Sequence, residues 1–235
     1  MSRGIFKSTS VVGAMTLISR ITGLARDMVY SQAFGAGALM DAFLVAFKIP
    51  NFLRRLFAEG SFSQAFVPVV SEYRIRRTQD EVRELVEGTA GTLGVLLFVV
   101  TLLGVIAAPA IILLFAPGFA QTDGKYELAV EMLRWTFPYL FFISLTALLS
   151  GVLNSYGKFA LPAITQVIMN VVMIVFALFI ATHTRNPGVT LAIGVFVSGV
   201  LQLLAQVPAV MKLGLFRVPR WRPAAEGVRR IGKLM

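Results

Sequence analysis

The chain has 235 residues, of which 57% are hydrophobic and 14% charged, and its mean hydropathy is +0.77. Because a soluble domain carries about 25% charged residues, this composition excludes an ordinary soluble protein. The chain has no cysteine and one histidine, His183, so disulfides and thiolate metal sites are excluded and no metal or other cofactor is predicted.

Long uncharged runs indicate that the chain crosses a membrane several times. Each exceeds the ~20 residues that a helix needs to span a bilayer. The runs are 88–122, 135–157, 159–184 and 186–211. We therefore predict an all-α, polytopic membrane bundle of about six transmembrane helices. In chain order, these helices lie near residues 9–33, 39–58, 85–108, 125–153, 159–182 and 189–213.

The first predicted helix carries charges that a lipid-facing helix should not tolerate, namely Arg20, Arg26 and Asp27. Arg20 and Asp27 are seven residues apart and nearly share a stripe, while Arg26 points about 120° away. Arg20 lies about 16 Å along the helix from Thr9. That position is near the middle of a bilayer, where a charge costs at least ~2.5 kcal/mol. A water-filled cavity explains this arginine better than lipid does.

The second predicted helix carries a polar stripe. Asp41, Lys48 and Arg55 follow one another at intervals of seven residues on a helix that is otherwise rich in Phe and Leu. Pro50 removes a backbone hydrogen bond within this stripe, so we predict a kink there.

Two features flank the third predicted helix. Thr78 and Glu81 fit a capping box that opens its charged first turns. Pro109 and Pro117 bracket a short apolar segment after the helix, which we predict to be interfacial or re-entrant.

In the fourth predicted helix, Arg134 shares a stripe with Glu127 and Glu131, just before Pro138. Arg134 either faces the same cavity or simply pairs with Glu131, three residues earlier.

Basic residues outside the helices are distributed unevenly between the two membrane faces. The N-terminus, the connection around 54–83, the turn at Lys158 and the tail at 212–233 alternate onto one face and carry most of them. The opposite face carries only Lys125 and Arg185. The positive-inside rule then places both termini in the cytoplasm. It also accounts for the net charge of +10 without a nucleic acid partner.

The charges within the helices have two interpretations. Charges near helix ends can snorkel to headgroups or pair as structural contacts, which remains open for Arg26, Asp27, Arg54 and Arg55. Alternatively, the excess of cations lines a pocket for an anion. Because a guanidinium is a planar fork that matches phosphate oxygens, a phosphate or diphosphate headgroup suits such a pocket.

Several stretches closely resemble the MurJ/MviN family. They are SRITGLARD at 19–27, GAGALMDAFLVAFKIPNFLRRLFAEGSFSQAFVPV at 35–69, APGF at 116–119 and LRWTFPY at 133–139. Members of this family are lipid II flippases of the multidrug/oligosaccharidyl-lipid/polysaccharide exporter superfamily. The similarity runs over essentially the whole chain, and the block at 35–69 is far more specific than a short motif.

The resemblance implies a transporter of the bacterial cytoplasmic (inner) membrane that serves peptidoglycan and cell-wall synthesis, and hence cell shape. Its substrate would be lipid II, an undecaprenyl-diphosphate-linked precursor, moved from the inner to the outer leaflet by alternating access. Such proteins have fourteen helices, with two six-helix lobes around a central cationic cavity. The substrate-binding residues implied are Arg20, Arg26, Asp41, Lys48, Arg54, Arg55 and Arg134.

The resemblance also implies a division of the chain. Residues 1–213 correspond to an N-terminal six-helix lobe, and residues 214–235 to a basic cytoplasmic tail or linker towards a second lobe that this chain lacks. The partners expected are lipid II, membrane lipids and that C-terminal lobe, so the chain alone is expected to be an incomplete, inactive half.

Three other functional classes have sequence features that distinguish them from a lipid II flippase. A structural or scaffolding membrane protein would use its charges as internal salt bridges. An exporter of a different amphiphile or of a drug cation is a second class, and the excess of basic residues argues against a cation as its substrate. An enzyme is not predicted, because the sequence shows no nucleophile–base constellation, metal-ligand cluster or phosphate-binding glycine loop.

Overall fold

The structure is a computed structural model that describes residues 2–55, 60 and 62–234, with side chains from residue 10 onward except residue 11. All regular structure in these residues is helical. The ten α-helices are α1 Ser2–Phe34, α2 Ala38–Arg54, α3 Phe62–Arg76, α4 Gln79–Ile106, α5 Ala108–Phe115, α6 Lys125–Thr136, α7 Tyr139–Ser155, α8 Ala160–Val175, α9 Pro187–Lys212 and α10 Glu226–Leu234. A 3₁₀ turn covers Pro117–Gln121, and a π-helical turn, Phe176–Ile180, extends α8.

Four helical segments in the described part of the chain are long and apolar enough to cross a membrane. They are Gln79–Ile106, Lys125–Ser155, Ala160–His183 and Pro187–Lys212, and they coincide with the last four predicted spans. The prediction of an all-α, multi-pass membrane bundle is confirmed. The fourth predicted span is divided into α6 and α7 at Pro138, whose ring cannot donate a backbone hydrogen bond.

The capping box at the start of α4 is confirmed. The Thr78 hydroxyl accepts a hydrogen bond from the Glu81 backbone N–H at 3.3 Å, and the Thr78 N–H donates to the Glu81 carboxylate at 2.8 Å. This reciprocal pair satisfies two backbone donors and begins the helix sharply after α3.

Two helices lie outside both the six predicted spans and the short apolar segment predicted between Pro109 and Pro117, which forms α5. α3 occupies the connection after α2, and its buried residues Phe62, Ala65, Phe66, Val69 and Val70 recur at helical spacing. α10 occupies the tail, where it buries Gly227, Val228 and Ile231. Both helices are amphipathic and short, so a search for apolar runs of membrane-spanning length does not detect them.

The helices pack into two apolar clusters. One joins α2, α6, α8 and α9 around side chains such as Phe43, Met132 and Leu191. The other joins α3, α4, α7 and α9 around Phe66 and Leu148. α1 packs mainly along α8, and it reaches α2 through an edge-to-face contact between Tyr30 and Phe43. A cleft therefore separates the second half of α1 from α2.

The residues after α9 fold back onto α3 and α4. The Arg220 backbone N–H donates to the Glu87 carbonyl at 3.4 Å, and Gly91 leaves space for the Arg220 backbone beside α4. At α10, Arg230 forms an ion pair with Glu72 at 2.8 Å. We call residues 213–234 the tail strap. Its predicted role as a linker towards further chain stays a prediction.

Candidate functional site

The cleft between α1 and α2 contains a cavity of about 870 Å³. Its charged lining comes from two short stretches of α1 and α2, and apolar side chains of α2 complete the wall. The charged lining residues are Arg26, Asp27, Asp41, Lys48 and Arg55. Three cations and two carboxylates therefore line this open space.

The polar stripe of α2 faces this cavity along its whole length. Asp41, Lys48 and Arg55 all line it, as their seven-residue spacing predicts. Neither Lys48 nor Arg55 has an acidic ion-pair partner among the residues that the structure describes.

On the α1 side of the cavity, Arg26 is held by two neighbours. Its Nε–H and an Nη2–H donate to Oδ1 of Asp27, at 3.1 and 2.7 Å, and an Nη1–H donates to Oδ1 of Asn170 at 3.1 Å. Its guanidinium carbon also lies 5.7 Å from the centroid of the Tyr30 ring. The spacing argument grouped Asp27 with Arg20, but the structure joins it to the adjacent Arg26.

Asn170 was not identified from the sequence. It lies on α8 and is 1% exposed. A signal was present, since an asparagine in the middle of an uncharged span usually has a polar partner on another helix. The sequence alone could not show that the partner is 144 residues away.

Asp41 forms an ion pair with Lys125, a residue that does not line the cavity. The Lys125 ammonium, at the start of α6, lies 2.8 Å from Oδ2 of Asp41 and 4.4 Å from the centroid of the Phe119 ring. The pair ties the first turn of α2 to α6. It also offsets one of the two carboxylates that face the cavity.

The other predicted binding residues lie outside this cavity. Arg20 is exposed on α1, and Arg134 is exposed on α6; the alternative pairing of Arg134 with Glu131 is not among the ion pairs of the described residues. Arg54 donates to Asn51 at 2.9 Å and lines a separate polar cavity of about 250 Å³ with Ser150. The structure thus brings four of the seven predicted residues together, namely Arg26, Asp41, Lys48 and Arg55.

Comparison with known proteins gives the same assignment along almost the whole chain. The family described as lipid II flippase MurJ matches residues 30–235. The chain belongs to the MurJ family. It is 46% identical over 242 residues to the probable lipid II flippase MurJ of Vibrio cholerae, covering 100% of this chain and 46% of that protein. It is also 44% identical to the lipid II flippase MurJ of Burkholderia cenocepacia, covering 90% of this chain and 41% of that protein.

A solved MurJ structure has the same fold as this chain. Lipid II flippase MurJ in an inward closed conformation aligns with a TM-score of 0.77 and 27% identity, over 95% of this chain and 45% of that one. The family resemblance seen in the sequence is confirmed. The chain spans about half the length of the curated MurJ relatives that it matches.

Proposed function

We propose that the cavity between α1 and α2 binds the diphosphate headgroup of lipid II and that this chain contributes that site to a lipid II flippase. The full-length form would move the lipid from the inner to the outer leaflet for peptidoglycan synthesis. On this proposal the protein is a transporter and not an enzyme.

The observation that carries the proposal is the open cationic excess of the cavity. Asp27 and Asp41 each have a basic partner. Lys48 and Arg55, by contrast, have no acidic partner among the described residues. At about 870 Å³, the cavity falls in the size range of small-molecule sites. A scaffold built on internal salt bridges would match its charges and close this space. An exporter of cations would expose the opposite sign.

The proposed mechanism begins with headgroup capture by the cavity cations while the lipid tail stays in hydrocarbon. Rearrangement around α2, at Pro50, would then turn the site outward, with one half of the full-length protein moving against the other. With the cell interior negative, moving two negative charges outward gains up to about 4–5 kcal/mol for a potential of about 100 mV.

We infer that the protein lies in the bacterial cytoplasmic membrane with both termini of this chain in the cytoplasm. The distribution of Lys and Arg supports this orientation, because one set of loops is rich in them and the other carries only Lys125 and Arg185.

The proposal is tested with the full-length protein in cells depleted of their own lipid II flippase. The wild-type protein should restore growth and shape, whereas Lys48→Ala and Arg55→Ala should not. Lys158→Ala removes an exposed charge in the turn between α7 and α8 and serves as the control.

A binding measurement separates transport from folding. Losing one charge-assisted contact to a phosphate oxygen costs about 1.5–3 kcal/mol. The affinity of the purified variants for undecaprenyl diphosphate should therefore fall about 10- to 100-fold. Equal affinity of all variants would refute the site, and loss of folded protein in the membrane would favour the scaffold instead.

A further inference from the structure

The Asn170 carboxamide links α8 to two successive turns of α1. Its Nδ2 donates to the Ser19 carbonyl at 3.0 Å and to the Thr22 hydroxyl at 3.1 Å, and its Oδ1 accepts from Arg26 at 3.1 Å. Asn170 is 1% exposed, and both the nitrogen and the oxygen of its amide have hydrogen-bond partners within the protein. Buried polar groups with this many partners hold one geometry.

The orientation of the amide follows from its partners. A backbone carbonyl can only accept a hydrogen bond and a guanidinium can only donate, so the nitrogen must face Ser19 and the oxygen must face Arg26. A side chain at this position therefore has to donate at one end and accept at the other. Neither aspartate nor leucine meets both requirements.

The contacts of Arg26 leave part of its guanidinium unused. Of the five N–H donors of an arginine, Asp27 takes one on Nε and one on Nη2, and Asn170 takes one on Nη1. One donor remains on each terminal nitrogen, beside the cavity that Arg26 lines. Guanidinium N–H groups form charge-assisted hydrogen bonds with phosphate oxygens.

We propose that Asn170 is a positioning residue that holds the Arg26 guanidinium with its two remaining donors towards the anionic ligand. This inference rests on the proposed function. Asn170 does not line the cavity, so it acts only through Arg26. Without the Asn170 oxygen, the Arg26 guanidinium would be held only on the side of Asp27 and Tyr30, so its remaining donors would no longer be fixed in one direction.

The test is a double-mutant cycle on the full-length protein, with undecaprenyl diphosphate as the probe and undecaprenyl phosphate for comparison. Asn170→Leu should weaken diphosphate binding about tenfold, as expected for one lost contact to a charged group. In an Arg26→Gln background, the same substitution should change the affinity less than about twofold, because the residue that it positions is gone. The control Gln166→Leu, exposed one turn earlier on α8, should have no effect in either background.

A second variant keeps the test decisive if Asn170→Leu does not fold. Thr22→Val keeps the shape of the side chain and removes one anchor of the amide nitrogen, so it should weaken binding by about two- to threefold in the wild-type background only. Equal losses in both backgrounds would show a merely structural role and overturn the inference while the site stands. No binding by the wild-type protein would overturn the proposed function and the inference together. No effect of Arg26→Gln would overturn the inference alone, because the proposed site also rests on Lys48 and Arg55.

Discussion

Replacing Gly91 by alanine should release the tail strap from α4. A Cβ atom at this position would lie 2.2 Å from the Arg220 carbonyl oxygen and 2.3 Å from its carbonyl carbon. Carbon atoms in contact are separated by about 3.5–4.0 Å, so the strap would have to move by more than about 1 Å. The obstructing atoms are backbone, and no side-chain rotation can relieve the overlap.

The cost of this movement follows from the contacts at Glu87. Its side chain is 2% exposed, with Arg220 Nε 3.2 Å from Oε1 and Arg217 Nη1 3.9 Å from Oε2. Lifting the strap breaks the backbone hydrogen bond from Arg220, worth about 0.5–1.5 kcal/mol, and moves a cation away from a buried carboxylate. Because both arginines are at least half exposed, solvent screening reduces the ionic part. We expect a total of about 2 kcal/mol, which raises the detached fraction about 30-fold.

Limited proteolysis of the full-length protein measures this fraction. Trypsin can cut after Arg220 only when the backbone there has left α4, so the cleavage rate at Arg220 follows the detached population. The matched control is Gly94→Ala, one turn along the same helix, where an added Cβ has no atom within 4 Å. Gly91→Ala should be cut about 30-fold faster than wild type and Gly94→Ala no faster. Equal cleavage of the two variants would refute the close approach of the strap to α4.

Two further ion pairs give predictions of their own. The hydrogen bond from Arg230 lowers the pKa of Glu72 below its usual value of 4.5. The pair therefore stabilises the docking of α10 fully at pH values above 4.5, and this contribution is lost as the pH falls through the lowered pKa. Proteolysis of the tail should accelerate below about pH 4.5 in wild type but not in Glu72→Gln; the same acid dependence in both would exclude this pair as its cause. Removing the Lys125 ammonium by Lys125→Ala leaves the half-exposed Asp41 carboxylate unpaired, which should weaken undecaprenyl diphosphate binding by up to about fivefold. Adding Asp41→Asn should restore the affinity if the effect is electrostatic, and a loss that persists in the double variant would contradict this explanation.

Local patterns in the sequence predicted some parts of the site well. The seven-residue spacing of Asp41, Lys48 and Arg55 fixes one helical face, and the structure places all three side chains on the cavity. The capping box at Thr78 is likewise a local interaction between near neighbours. In both cases the helix itself determines which side chains come together.

Contacts between distant segments could not be predicted in this way. Helical geometry gives the direction of Arg26 relative to Arg20, but not which of them faces α2, because that depends on how α1 packs along α8. The Asn170 contact, which sets the orientation of Arg26, joins residues 144 positions apart. The tail strap was missed as structure because its docking depends on Glu87 and on the absence of a side chain at Gly91.

On the proposed function, the two kinds of cation in the cavity would suit a site that binds an anion and then releases it. Lys48 and Arg55 have no acidic partner in the described part of the chain, so on the proposed function a bound anion would not compete with a described carboxylate for them. Arg26 already donates three hydrogen bonds to Asp27 and Asn170. Its guanidinium is therefore held in one orientation, and the Asp27 carboxylate offsets part of its charge. A cavity in which all three cations were unpaired would hold a diphosphate more tightly, but a transport site has to bind weakly enough for its ligand to leave. On this proposal Asp27 would set that limit, because its carboxylate already pairs with the Arg26 guanidinium that the ligand would contact.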